Sequence, residues 1–366
     1  MENINHILEQ FKFKGTLTDC EIFGSGHINT TYLASYECED MNSQYIVQKV
    51  NTNVFKDIDS LMENVFAVTS YLRNVIKENG GNPSRETLHF IKTADGKKYF
   101  KDDDGSCYRA YRFVDRSISH DSVESAEVFK KSGEAFGRFQ KYLSDFPAQT
   151  LTETIPNFHN TIWRYENEFL PALEKNLSGR ADTCQAEIDF VKARKDDCSR
   201  LVNLINDGSL PLRVTHNDTK LNNVMFDIDT DDAICVIDLD TVMPGLALYD
   251  FGDSIRFGAN TCAEDEKDTS KVAIDLDYFK AYAEGFLSQA GKSFNQCEID
   301  NLAFSAKLMT FECGMRFLTD YINGDTYFKT AYPEHNLVRA RCQFALVSDM
   351  ESKMDEMESI IKNIKY

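Results

Sequence analysis

The sequence predicts an α+β chain of two lobes: an N-terminal antiparallel-sheet lobe over residues 1–114 and a larger, mainly helical lobe over residues 115–366. Three observations carry this. Short β-prone runs alternate with turn residues as far as Val114. Beyond it, apolar residues recur at steps of three and four. Within the helical part, the stretch 212–240 breaks the pattern and reads as a polar loop followed by a β-hairpin.

Residues 5–13 have the apolar spacing of a short helix. After Gly15, the runs 19–23, 30–36 and 44–50 read as strands, the first two joined by Gly24-Ser-Gly-His-Ile-Asn29. A Gly-x-Gly loop lets backbone N–H groups approach phosphate oxygens without a Cβ in the way, although Asn29 stands where a kinase-type loop has its third glycine. In the third strand either Gln48 or Lys49 faces inward, because alternation alone does not choose between them. A helix over 59–77 carries Glu63 as a candidate partner for Lys49. Strands at 88–92, 98–101 and 107–114 complete the lobe, with Asp95-Gly96 marking a hairpin turn. The lobes meet at Phe113-Val114-Asp115, a hinge whose backbone groups are placed to hold adenine, which makes Phe113 and Asp115 nucleotide candidates.

In the second lobe, 123–143 sets Phe129, Phe136 and Phe139 beside Gly133 and Gly137, the pattern of a buried helix closely approached by another segment. Trp163 and the run 188–206 suggest two more helices, and Ser209-Leu-Pro211 stops the second. The residues after Pro244 begin as a loop and enter a helix. Over 302–321 an apolar stripe runs through Leu308, Phe311, Met315 and Leu318, with Glu312, Arg316 and Asp320 at steps of four beside it. That polar line is either an exposed ion-pair ladder or, where the stripe borders a cleft, a place for Arg316 to meet a substrate. An amphipathic helix through Met350, Met354, Met357, Ile361 and Ile364 closes the chain.

Inside 212–240, His216-x-Asp218, then Asn223, then Asp238 stand in the order by which phosphotransferases of bilobal protein-kinase-like fold arrange a base and two Mg²⁺ ligands. The runs 224–226 and 234–237 flank an Asp-rich turn. Pairing about a midpoint between Thr230 and Asp231 sets Asn223 opposite Asp238 at the open end. Amide and carboxylate oxygens suit Mg²⁺, which fills its shell with water and phosphate oxygens. Asp218, in the preceding loop, is placed to take a proton from a substrate hydroxyl. A polar loop satisfying its own turns would explain the residue types but not the spacing. Asp250-Phe-Gly252 spells the metal-binding triplet of protein kinases, yet it lies beyond Met243-Pro-Gly245, which ends the second hairpin strand. The expectation for Asp250 is a buried acceptor for backbone N–H groups of the catalytic loop.

The net charge of −19, with no basic block, argues against nucleic acid and anionic membrane as partners. Ten scattered cysteines with no C-x-x-C pair point to reduced core thiols and a cytoplasmic setting rather than zinc or disulfides. Residues 1–6 lack a basic region leading into an apolar run, so no signal peptide is expected, nor a membrane span. A monomer is the expectation.

Val214-Thr-His-Asn-Asp-Thr-Lys-Leu-Asn-Asn-Val224 and Val236-Ile-Asp-Leu-Asp240 resemble the aminoglycoside phosphotransferase and choline kinase superfamily. Gly26-His-Ile-Asn-Thr-Thr-Tyr32, Phe251-Gly-Asp-Ser-Ile-Arg-Phe-Gly258, Glu312-Cys-Gly-Met-Arg-Phe317 and Tyr332-Pro-Glu-His-Asn-Leu-Val338 are similar to its N-acetylhexosamine 1-kinase branch, and the similarity runs over nearly the whole chain. The resemblance implies ATP- and Mg²⁺-dependent phosphorylation of the anomeric hydroxyl of N-acetylglucosamine or N-acetylgalactosamine. It implies Asp218 as base, Asn223 and Asp238 on Mg²⁺, and His27 with its neighbours Gly26, Ile28, Asn29 and Thr30 near the nucleotide. Arg316 and Tyr327 would contact the sugar. The departure is at Gln48-Lys49, where no clear kinase lysine supports the α-phosphate. Two rival readings stand beside this one: a kinase of the same fold acting on an aminoglycoside, choline, homoserine or a thiosugar, and an inactive nucleotide-binding module.

Overall fold

The computed structural model describes residues 4–24, 29–39 and 42–366. The chain forms two compact units: residues 1–120, 145–154 and 223–243 in the first, and 121–144, 155–222 and 244–366 in the second. Its strands are β1 (Thr16–Ile22), β2 (Thr30–Glu37), β3 (Ser43–Val50), β4 (Phe90–Ile91), β5 (Phe100–Lys101), β6 (Cys107–Arg112), β7 (Ser117–Ile118), β8 (Arg213–Thr215), β9 (Val224–Asp227) and β10 (Ala233–Val236), with a further short strand at Met243–Gly245.

The first unit is built on an antiparallel sheet in the order β1-β2-β3-β6-β4, with β5 also pairing β6. Side chains of β3 and β6 alternate between two faces. Tyr45, Val47, Tyr108 and Ala110 pack with Ile7, Leu8 and Phe11 at the short helix α1 (Ile4–Leu8). On the other face Tyr111 meets Phe90 in a tilted ring contact at 5.2 Å, and Phe90 meets Phe66 of α2 (Ile58–Glu78) at 5.7 Å. Gln48 and Arg109, directly opposite in the register, share this second face. Asp57 starts α2 by accepting the Ser60 N–H at 3.0 Å.

Two local expectations are corrected here. The Asp95-Gly96 turn forms, with Gly96 at φ 89°, but β4 and β5 pair one after the other along β6 instead of with each other. Glu63 pairs with Lys98, not Lys49, whose Nζ lies 5.8 Å from the Tyr108 ring on the opposite face. A second sheet, β10-β9-β7, contains the expected hairpin.

The second unit is mainly helical: α3 (Ala126–Tyr142), α4 (Thr161–Arg164), α5 (Leu170–Lys175), α6 (Gln185–Lys192), α7 (Lys195–Asn206), α8 (Ala247–Gly258), α9 (Leu276–Ala290), α10 (Gln296–Asp300), α11 (Leu302–Asn323), α12 (His335–Ser352) and α13 (Met354–Asn363). A π-helical turn, Tyr165–Phe169, joins α4 to α5. The apolar stripe of α11 is the centre of the core, where Phe311, Met315 and Leu318 meet Phe344 and Val347 of α12. The expected close approach to α3 is made by α9. A Cβ at Gly133 would lie 2.5 Å from the Tyr282 carbonyl oxygen, and Gly137 and Gly285 are as tightly faced by backbone. Gly133→Ala is therefore expected to force the helices apart at a cost of ~1–3 kcal/mol, read as a lower urea midpoint with an unchanged slope. No helix among the described residues is long and apolar enough to cross a membrane, and all ten cysteines are free.

Candidate active site

In the second unit, the loop after β8 is shaped by helix α8. Asp250, 0% exposed, accepts the His216 N–H at 3.1 and 3.0 Å and the Asn217 N–H at 2.8 Å, while Gln140 Nε2 donates to its Oδ2 at 2.8 Å. This is the structural role expected of Asp250, whose two oxygens are both engaged by N–H donors. Burial pushes its carboxyl upward, against the loop's hydrogen bonds. Thr219 continues the clamp: its hydroxyl donates to the Asp250 carbonyl at 2.6 Å, its N–H to Asp253 Oδ2 at 3.2 Å, and its carbonyl accepts Ser254 Oγ–H at 2.8 Å. Asn217 turns the chain through φ 64°, a left-handed conformation that asparagine tolerates. His216 is fully buried, edge-on to Phe136 at 5.6 Å.

Asp218 is thus held by its neighbours' backbone, with its own side chain 31% exposed. Its Oδ1 lies 2.8 Å from Lys220 Nζ. Burial would lower the Lys220 pKa, but Asp218 and then Asp253 outweigh it and raise it, so the ammonium stays charged. Asp253 is buried and would be raised by that burial, yet Arg256 and Lys220 hold it below the usual carboxylate range. Arg256 reaches Asp253 Oδ1 at 2.9 Å and Glu264 at 2.7 Å.

In the first unit, the hairpin departs from the expected register. Val224 faces Val236 and Met225 faces Cys235, but Phe226 faces Ala233, because a bulge lies between Ala233 and Cys235. Asn223 therefore faces Ile237, whose N–H donates to the Asn223 carbonyl at 2.9 Å. Asp238 is one residue further on, exposed, at φ 57° and ψ 60°, immediately before the 3₁₀ turn Leu239–Thr241. Both ligand candidates are hard oxygen donors of the kind Mg²⁺ takes, with no thiolate or imidazole between them. No group of three or more His, Cys, Asp or Glu among the described residues is arranged to hold a metal. A few-ligand Mg²⁺ site needs none.

Of the nucleotide candidates, Gly26, His27 and Ile28 lie outside the described residues. Asn29 donates from Nδ2 to Asp240 Oδ2 at 2.9 Å, and Thr30 opens β2 opposite Lys49. Gln48 accepts Arg109 Nε and Nη2 at 3.0 and 2.8 Å. Phe113 sits edge-on to Phe23 at 5.8 Å, and the Asp115 carbonyl accepts Arg85 Nη2 at 3.0 Å. The structure thus gathers Asn29 and Gln48 around Arg109 and Asp240, leaves Lys49 on the other face, and keeps Phe113 and Asp115 at the end of β6. Lys220, Arg109 and Asp240 were not singled out from sequence. Lys220 carried a local signal, two residues after Asp218, whereas Arg109 meets its partner Gln48 across 61 positions.

The polar line on α11 is not an exposed ladder: Glu312 is 1% and Asp320 4% exposed. Glu312 accepts from Thr161 Oγ1 at 2.6 Å and pairs with His159 Nδ1 at 2.8 Å. Asp320 accepts the N–H groups of Thr326, Tyr327 and Phe328 at 2.8–2.9 Å, which shapes the loop after α11. That loop brings Tyr327 to Arg316, whose guanidinium lies 5.9 Å from its ring and 5.4 Å from that of Phe158. Both border a cavity of about 480 Å³ that Trp163 and Arg164 also line.

A family model described as phosphotransferase enzyme family matches residues 19–284. Solved structures share the fold. An aminoglycoside phosphotransferase from Alicyclobacillus acidocaldarius aligns with a TM-score of 0.59 at 12% identity, covering 98% of this chain and 96% of that one. Choline kinase from Cryptosporidium parvum Iowa II aligns with a TM-score of 0.54 at 16% identity, covering 92% and 90%. The streptomycin–ATP–APH(2″)-IIa ternary complex gives 0.51 at 15%, covering 98% of each. The antiparallel-sheet N-terminal lobe and helical C-terminal part are those of these kinase-like neighbours.

Proposed function

Because the chain belongs to the phosphotransferase enzyme family, we propose that it is an ATP-dependent kinase that phosphorylates the anomeric (C1) hydroxyl of N-acetylglucosamine or N-acetylgalactosamine to give the sugar 1-phosphate. Asp218 accepts the hydroxyl proton, and Lys220 beside it meets negative charge on the transferring phosphoryl group. Asn223 and Asp238 hold the Mg²⁺, which when bound neutralises phosphate oxygens. The loop of Gly26, His27, Ile28, Asn29 and Thr30, with Gln48, is assigned to the phosphates, and Phe113 and Asp115 to the base. ATP as co-substrate accords with the ATP-bound complex among the structural neighbours. The free cysteines suit a cytoplasmic setting.

The observation that carries the acceptor is the lining of the cavity at Arg316 and Tyr327. Its volume is that of a small-molecule site, roughly 300–1,000 Å³. Its two carboxylates are already engaged: Glu168 with Arg164 at 2.7 Å, and Asp320 with three backbone N–H groups. What remains is the Arg316 guanidinium, the Lys175 ammonium, the Asn167 and Asn323 amides and aromatic faces, which suit an acyl oxygen, sugar hydroxyls and a sugar ring. A polycationic aminoglycoside would call for unengaged carboxylates, and choline, which aromatic faces can hold by themselves, would meet the positive charges of Arg316 and Lys175 in the same lining. Purified chain incubated with ATP, Mg²⁺, free hexosamines, choline and an aminoglycoside, with phosphorus NMR of the products, tests this. An α-sugar 1-phosphate supports the reading, phosphate on another acceptor replaces it, and no product leaves a nucleotide-binding module.

Lys220→Met is expected to lower kcat by about 10²-fold, as the loss of one preorganised donor does, while the KM for ATP stays near its starting value. An unchanged kcat would remove Lys220 from the chemistry.

A further inference from the structure

Arg109 lies in mid-β6 at 2% exposure, paired with Asp240 at 5%. A buried ion pair is a poor way to stabilise a sheet, since the desolvation of both charges rivals their attraction and apolar residues of similar size serve as well. What this pair does is join elements. Arg109 donates from Nε and Nη2 to Gln48 Oε1, and Gln48 donates in turn to Thr31 Oγ1 at 3.2 Å. The second oxygen of Asp240 accepts Asn29 Nδ2 at 2.9 Å, and Asn29 Oδ1 accepts the Asn51 N–H at 2.9 Å. β6, β3 and the entry to β2 thus converge on one carboxylate, two residues beyond Asp238.

Asp238 itself stands in a left-handed conformation, which aspartate tolerates better than most residues but which still costs energy that its surroundings offset. The 3₁₀ turn that follows is fastened at its far end as well, where Asn64 of α2 donates to the Val242 carbonyl at 3.0 Å. The chain around Asp238 is therefore fixed from the sheet through Asp240 and from α2 through Val242. We propose that Arg109 is a positioning residue for the metal end of the site, holding Asp240 so that the left-handed turn presents Asp238 to nucleotide-bound Mg²⁺. The inference rests on the reading of Asn223 and Asp238 as metal ligands. It also accounts for a glutamine at position 48: its amide oxygen accepts two guanidinium N–H groups, where a lysine would repel them.

The test reads nucleotide and metal binding by calorimetry on the full chain, with no acceptor present, so it does not depend on which sugar is used. ATP affinity is measured over a Mg²⁺ titration for the unaltered chain, for Arg109→Met and for the charge-neutral pair Arg109→Met/Asp240→Leu, with thermal unfolding of each. Arg109→Met strands a buried carboxylate and is expected to unfold at lower temperature. The double variant is expected to recover much of that loss yet to need 10–100-fold more Mg²⁺ for ATP binding, the usual effect of removing the support of a metal ligand. A double variant with the Mg²⁺ requirement of the unaltered chain would overturn the proposal, leaving the pair a packing feature. An equal loss of ATP affinity without metal would also overturn it, and would make Arg109 a direct phosphate contact. Metal-independent ATP binding by the unaltered chain would remove the ligand reading itself, and is seen before any substitution is made.

Discussion

Asp218→Asn is expected to lower kcat by roughly 10²–10⁴-fold, the range for a positioned general base, with ATP affinity retained. The amide has the size of the carboxylate but cannot take a proton. Nor does the loop lean on this side chain, because its shape is set by backbone N–H groups bonded to Asp250 and Asp253. The loss should fall towards the lower end of the range. An anomeric hydroxyl is more acidic than an ordinary alcohol, and the loose transition state of phosphoryl transfer asks for the proton late. Steady-state turnover and calorimetric ATP binding on the same preparation separate the two effects. Turnover like that of the unaltered enzyme would take Asp218 out of the mechanism.

The second large effect concerns Asp250, and it differs in kind. Both carboxylate oxygens accept N–H groups: Oδ1 from His216 and Asn217, Oδ2 from His216 and Gln140. In Asp250→Asn either orientation of the amide turns an NH₂ against donors in a fully buried place. A lost hydrogen bond to a charged group together with the unpaired donors it leaves costs on the order of 3 kcal/mol, and a fall in melting temperature of about 4 °C follows for a chain of this length. Activity should fall with it, since the loop that presents Asp218 loses its template. A variant as stable as the parent but needing far more Mg²⁺ would instead make Asp250 a metal ligand and reverse its assignment.

The parts of the fold legible in the sequence were those written locally. Alternation placed β1, β2, β3 and β6, periodicity placed α2, α3 and α11, and the His-x-Asp spacing located the loop. The hairpin register failed by one residue because the turn closes earlier than the assumed midpoint, with Phe226 facing Ala233, and the bulge between Ala233 and Cys235 restores only part of that offset; counting inward from both ends assumes a regular ladder. The polar line on α11 looked solvated because its spacing is that of an exposed ladder. His159, Thr161 and the loop at 326–328, distant in sequence, supply the partners that allow Glu312 and Asp320 to be buried. Gln48 and Lys49 could not be told apart until the register set Gln48 opposite Arg109.

The clamp of α8 on the loop after β8 bears on transplantation. Asp250, Asp253 and Ser254 hold that loop through its main chain, together with the Thr219 hydroxyl, so residues 216–222 do not form a portable unit. Grafted alone onto another scaffold, they would lose their shape. Grafted together with the helix that follows, the exposed positions among them become open to redesign, and a new proton acceptor could be tried there without disturbing the scaffold beneath.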